Sequence, residues 1–382
     1  MTRQAALALA ALLVAAGCST YNPLKAVGII SDPPNPPTPL QAFRASVNPR
    51  AAWSASVGKA DGFRLLPVQQ EGRVYAISNT GTFTVIDAAN GRVASSIASK
   101  EKYSGGLGFG EGKLYAGTMK GEVVALDTAG KVVWTSAVAG EVIAAPAASR
   151  NVVVVRTSDG RIFGLSAGDG KRLWVFQRPS PSLLLRTEAG VLAEGRDVVA
   201  GYPNGKLVAL DIEDGKLTWE ATVSSPRGAT ELERIADVAG LPLIDGNNVC
   251  AVAYQGKIAC FDIQTRNTLW SKDLSSARSL ATDAKNVYAV DDTGRVHALD
   301  KKTGASLWTN DKLKYRRLTS PAVVNGAIVV GDGFGFVHVL SADDGRLIGR
   351  LATDGSAVNG LVPAQDGLLV QTDKGTVALV RW

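Results

Sequence analysis

The chain has 382 residues, 46% of them hydrophobic and 20% charged, and a net charge of +6 from 41 basic and 35 acidic side chains. This is the composition of a folded chain rather than a disordered one. The basic residues fall in short groups such as "KLKYRR" (312–317), not in a continuous stripe, which argues against nucleic acid as a partner. With three Cys, two His and no cluster at metal-ligand spacing, no metal site, no catalytic set and no cofactor are expected.

In chain order, the first feature is an apolar run from Ala5 to Ala16 behind a single Arg. It is too short to span a bilayer as a mature helix and fits the core of a secretory signal, so residues 1–17 read as a signal peptide. The ending "VAAGC" resembles a bacterial lipobox, with Ala15 where Leu is commoner. That resemblance implies cleavage before Cys18 and its acylation; a plain signal with an incidental Cys is the alternative. Acyl chains on Cys18 would anchor the protein to a membrane. Ser19 in place of Asp implies, by resemblance to sorted bacterial lipoproteins, the outer membrane with the protein facing the periplasm. Four Pro crowd the first seven residues of "SDPPNPPTPL" (31–40), which favours an extended chain over a packed one. Residues 18–48 therefore read as the lipidated Cys and a tether, and 49–382 as the folded body.

That body repeats one phrase eight times, opening at Gly81, Gly121, Gly160, Gly205, Gly256, Gly294, Gly335 and Gly375. Six residues on stands Asp87, Asp127, Ser166, Asp211, Asp262, Asp300 or Ser341; the eighth copy has Arg381. A second Gly follows in most copies, with Arg266 breaking the pattern in the fifth. Then comes Trp134, Trp174, Trp219, Trp270 or Trp308; Ser95 and Gly349 take that slot in the first and seventh copies. Apolar residues between Gly and Asp suit a strand with both faces covered. The Asp or Ser starts a turn by accepting backbone amides, the second Gly tolerates positive φ, and the Trp fills the wedge between sheets. A strand such as "KLYAGTMKG" (113–121) precedes each opening Gly, and Pro67, Pro146, Pro242 and Pro321 mark the start of one more. Four antiparallel strands per unit of about 40 residues predict an all-β fold, an eight-bladed β-propeller. The last copy has no room for its fourth strand. "AAWSASVG" (51–58) stands alone upstream and is expected to supply it, closing the ring.

The repeats resemble the PQQ-type propeller repeat, with its phrase "ALDxxxGxxxW", over residues 51–382. Two branches of that group differ in function. In the quinoprotein dehydrogenases the cofactor packs on a disulfide between adjacent cysteines, beside a calcium ion; here Cys250 and Cys260 are ten residues apart. The lipobox, the linker, the length and the eight blades are similar to the BamB family of outer-membrane assembly lipoproteins. That resemblance implies a non-enzymatic scaffold that binds BamA of the β-barrel assembly complex and aids insertion of β-barrel proteins. Contact with unfolded outer-membrane proteins by strand addition is a further implication. A quinoprotein-like enzyme binding PQQ, and a propeller adaptor for another envelope complex, are the alternatives.

Candidate residues lie where the repeat is stretched. Gly160 to Gly205 spans 45 residues and Gly205 to Gly256 spans 51, so inserts fall on two successive connections between blades and should form one raised surface. The first holds "PSPSLLLRTEAG" (179–190), either an apolar, Arg-bearing contact for a partner or the start of the next inner strand. The second, "ATVSSPRGATELERIADVAGLP" (221–242), carries mixed charge. By resemblance, Leu183, Leu185 and Arg186 match a Leu-x-Leu-Arg segment that faces BamA. Asp237 matches the first residue of an Asp-x-Asp segment whose second place is Ala239. His297 and His338 share one slot of the repeat and read as packed strand residues. Cys250 and Cys260, on hairpin neighbours, are either two small buried thiols or a cross-strand disulfide.

Overall fold

A computed structural model describes residues 34–382 except 180, 182, 184 and 187–189. The signal sequence and Cys18 lie outside the described residues. The chain divides into two units, Met1–Pro37 and Thr38–Trp382; the second is the folded body.

The body is an eight-bladed β-propeller, each blade a four-stranded antiparallel sheet. Seven blades are plain meanders, at residues 68–98, 103–137, 147–176, 192–222, 243–273, 281–310 and 322–352. The eighth pairs Val358–Ala364, Gly367–Thr372 and Thr376–Arg381 with the upstream strand Arg50–Ser56. Trp53 sits opposite Leu379 in that pairing, so the strand closes the ring as its repeat-like residues suggest. Each of Pro67, Pro146, Pro242 and Pro321 immediately precedes an innermost strand.

Apolar clusters lie between neighbouring blades rather than in one central core. Between the last blade and the first, for instance, Trp53, Val57, Val74, Ile86, Leu369, Val377 and Leu379 pack together. The repeat phrase builds these joints. Asp211 Oδ1 accepts the Glu213 amide at 2.8 Å, and the Gly215 amide donates to the Asp211 carbonyl at 2.9 Å. Gly215 then has φ +70, and a Cβ on it would lie 2.5 Å from the Trp174 ring of the preceding blade. The Trp174 indole N–H donates to Ile212 O at 2.8 Å. The glycine is thus needed twice, for its dihedral and for the ring that stacks on it.

The body begins at Thr38, inside the stretch that reads as a tether. The Thr38 amide donates to Lys314 O at 3.0 Å, and the amides of Ser46 and Val47 both donate to Ile348 O. Arg350 lies 4.9 Å over the Phe43 ring and donates to Gln41 O. Val47 and Pro49 occupy the space beside Gly349, where a Cβ would meet them at 2.8 and 2.9 Å. The seventh copy therefore lacks a Trp because this strap fills the slot.

Candidate functional site on the insert face

In a four-stranded meander, the connections between blades emerge on the same side as the hairpins that carry the opening glycines. Both inserts follow that rule. The first runs from the strand Arg172–Phe176 to the strand Leu192–Glu194, and the second from Leu217–Thr222 to Leu243–Asp245. The next inner strand starts only at Leu192, so Leu183 and Leu185 are loop residues and the strand alternative falls.

One carboxylate ties the two inserts together. Asp237 is only 6% exposed; its Oδ2 accepts the Leu185 amide at 2.9 Å and its Oδ1 the Asn204 amide at 3.2 Å. It therefore links the second insert to the first and to the hairpin of the blade between them. The main chain adds to this latch: the Val238 amide donates to Tyr202 O and the Tyr254 amide to Asp237 O. Val238 presses so closely on Gly201 that a Cβ there would meet it at 2.4 Å. Tyr202 donates to Gly160 O at 2.5 Å, and burial pushes its hydroxyl up to about 12, so it stays a donor. The Arg156 guanidinium lies 5.3 Å over the Tyr202 ring. Desolvation lowers the Arg156 pKa, with Tyr202 and Asp237 opposing it, and the side chain remains a cation.

The latch presents other side chains outward. Leu183 is 42% exposed, Leu185 half-buried, and Arg186 exposed. Arg186 donates to Glu141 Oε2 at 3.0 Å and to Met119 Sδ at 3.4 Å, both on the neighbouring blade's side of the loop. An ion pair this exposed contributes about 0–1 kcal/mol, so Arg186 can exchange it for a partner's carboxylate at little cost. Met119 and Leu232 add exposed apolar surface on the same face. Thr230 and Glu233 cap one another, with Glu233 Oε2 accepting the Ala229 and Thr230 amides and Thr230 Oγ1 the Glu233 amide, and so shape the turn that carries Leu232.

Of the residues singled out in the sequence, then, Leu183 and Arg186 face outward, Leu185 lies half-covered on the latch, and Asp237 points inward. Ala239 is buried. Met119, in a hairpin of the blade at 103–137, and Glu141, in the connection that follows it, escaped notice because the repeat spacing there is regular. The two histidines are packed within blades. His338 is fully buried with Nε2 2.9 Å from Asp332 Oδ2, and His297 makes the same contact to Asp291. Burial lowers the His338 pKa despite the Asp332 carboxylate. Cys250 and Cys260 lie directly opposite in register and form a disulfide, with Cα atoms 4.1 Å apart. Among the described residues no group of three or more His, Cys, Asp or Glu is placed to hold a metal ion.

Comparison with known proteins gives this surface a context. The family model described as outer membrane protein assembly factor BamB matches residues 79–310. A protein of that name from Nitrosomonas eutropha is 44% identical over 337 residues, 87% of this chain and 81% of the relative. One from Bordetella pertussis is 39% identical over 381 residues, covering 98% and 96% of the two chains. The crystal structure of BamB from Moraxella catarrhalis superposes with a TM-score of 0.82 at 29% identity, over 87% of this chain and 100% of that one.

Proposed function

Because the chain belongs to the BamB family of outer membrane protein assembly factors, we propose that it is a non-enzymatic scaffold of the β-barrel assembly machinery, docking onto the periplasmic domains of BamA through its insert face. On this reading acyl chains on Cys18 hold it to the outer membrane, facing the periplasm, and it aids the insertion of β-barrel proteins without making or breaking a bond. The observation that carries the proposal is the Asp237 latch, which ties the second insert to Leu185 of the first and to the Asn204 hairpin, with Leu183 and Arg186 exposed beside it. A preorganised apolar and Arg-bearing surface binds without first ordering its loops. Leu183 offers on the order of 1 kcal/mol from burial of its exposed part, and Arg186 a planar donor pair for a carboxylate. Asp237 acts in this scheme as the residue that positions the contact rather than as part of it. The PQQ-dependent alternative has no adjacent-cysteine disulfide to rest on, since Cys250 and Cys260 are spent within one blade.

The test is co-purification of BamA with the double variant Leu183→Ser, Arg186→Glu. Recovery of BamA is expected to fall at least about tenfold, which corresponds to about 1.4 kcal/mol, while circular dichroism and melting temperature stay as in the parent. Undiminished recovery would contradict the proposal.

A further inference from the structure

Among the joints of the ring that carry a Trp, one differs from the others. The indole N–H groups of Trp53, Trp134, Trp174, Trp270 and Trp308 donate to Ala88, Ala167, Ile212, Lys301 and Ala342, each a carbonyl of the next blade just past its turn Asp or Ser. Ile263 is the corresponding residue for Trp219, yet the Trp219 indole N–H has no protein acceptor among the described residues. The reason is Arg266. In the other joints the turn carries Gly91, Gly170, Gly215, Gly304 or Gly345, and a Cβ on any of them would meet the indole at 2.4–2.6 Å. Arg266 holds that place with φ +63 and does have a Cβ, so Trp219 cannot stack there. Its ring turns instead edge-on to Phe261, with centroids 5.7 Å apart and planes at 73°.

The displaced ring leaves a cavity of about 400 Å³ between the blades at 192–222 and 243–273, lined among others by Glu194, Asp197, Thr218, Trp219, Ile263 and Arg266. Glu194 and Asp197 are directly opposite in the strand register, a like-charge pair that costs the hairpin stability. Neither carboxylate has a cationic partner among the described residues. The intervening Arg196 turns away to Asp211 and Glu213. With Arg266 counted, the lining holds two acidic side chains and one basic one, a formal excess of one negative charge. Both carboxylates are solvent-exposed, and an indole lining the same cavity as two carboxylates without a cationic partner is a chemistry that holds an organic cation.

We propose that this cavity receives the basic side chain, arginine above all, of an extended segment of a protein partner. Its guanidinium stacks on Trp219 and pairs with Glu194 and Asp197, while Arg266 at the turn donates to the segment's main-chain carbonyls. The cavity lies among the turns opposite the insert face, so it is independent of the docking surface proposed above.

The experiment is a ¹⁹F NMR titration of the full-length protein in detergent, labelled with 5-fluorotryptophan, with the Trp219 resonance identified by its loss in Trp219→Phe. The peptide acetyl-Ala-Arg-Ala-amide at millimolar concentration should shift the Trp219 signal and leave the other six tryptophans unmoved. Acetyl-Ala-Glu-Ala-amide should shift none. Glu194→Gln with Asp197→Asn should weaken the response by at least about tenfold. Arg266→Gly should abolish it by letting the indole dock on Ile263. Unmoved signals of the other tryptophans report that each variant is folded. Equal responses to both peptides, no response to the basic one, a response that survives neutralisation of both carboxylates, or free argininamide binding as tightly as the peptide would overturn the proposal.

Discussion

Asp354 shows how single polar residues hold the hairpins of this ring. Its carboxylate accepts the hydroxyls of Ser356, Thr372 and Thr376 at 2.6, 2.5 and 2.7 Å. Burial acts to raise its pKa, but these donors outweigh it and hold the group at about 2. An unfolded Asp titrates near 3.9, so the folded state binds its proton later than the unfolded one. The stability this gives is present above about pH 4 and lost as pH falls through about 2. The melting-temperature gap between the parent and Asp354→Asn should therefore be constant from pH 7 to about 5 and close below pH 4. A gap that ignores pH would contradict this account. The same logic places the two histidines. His297 and His338 contact Asp291 and Asp332, whose Oδ1 atoms accept the amides of Arg295 and Phe336 just past the opening glycines. Ser78, Thr118 and Thr372 hold the equivalent place and make the equivalent bond. Recurrence at one slot marked the histidines as structural; their carboxylate partners were equally visible there but had no obvious reason until the hairpin geometry explained them.

At the scale of the element, the strand Arg50–Ser56 matters most, because among the described residues it is the only piece of a blade that comes from the far end of the folded body. It brings Trp53, 7% exposed, whose indole N–H donates to Ala88 O at 2.8 Å. Losing a docked Trp costs about 3–5 kcal/mol, and the pairing with Thr376–Arg381 would go with it. Deleting residues 49–58 should lower the melting temperature by roughly 10 °C or more, as read by calorimetry; an unchanged midpoint would contradict the closure. This strand was legible in the sequence because Gly, Asp, Gly and Trp each answer a separate physical demand and so recur at fixed spacing. The strap from Thr38 to Asn48 was not. Its hold on the body is largely through backbone groups, such as those to Ile348 O and Lys314 O, which leave no side-chain pattern. Its one trace was negative, the Gly349 that replaces a Trp.

For the whole molecule, departures from the repeat show where to look for function. The two long spacings located the insert face correctly, because a ring of equal blades tolerates extra length only in its connections. They could not reveal which way each residue points. Asp237 reads as a surface acid and is in fact the buried latch, since a carboxylate that binds amides 52 and 33 residues away leaves no local signature. Arg266 was visible as a broken glycine, and the cavity it opens follows only once the Trp219 ring is placed.

The central claim is that the insert face meets BamA, and photo-crosslinking in cells tests it most directly. A photoreactive amino acid at position 183 should crosslink to BamA, whereas one at Lys302, exposed on a turn of the opposite face, should not. Crosslinks to BamA from Lys302 and none from position 183 would contradict the account.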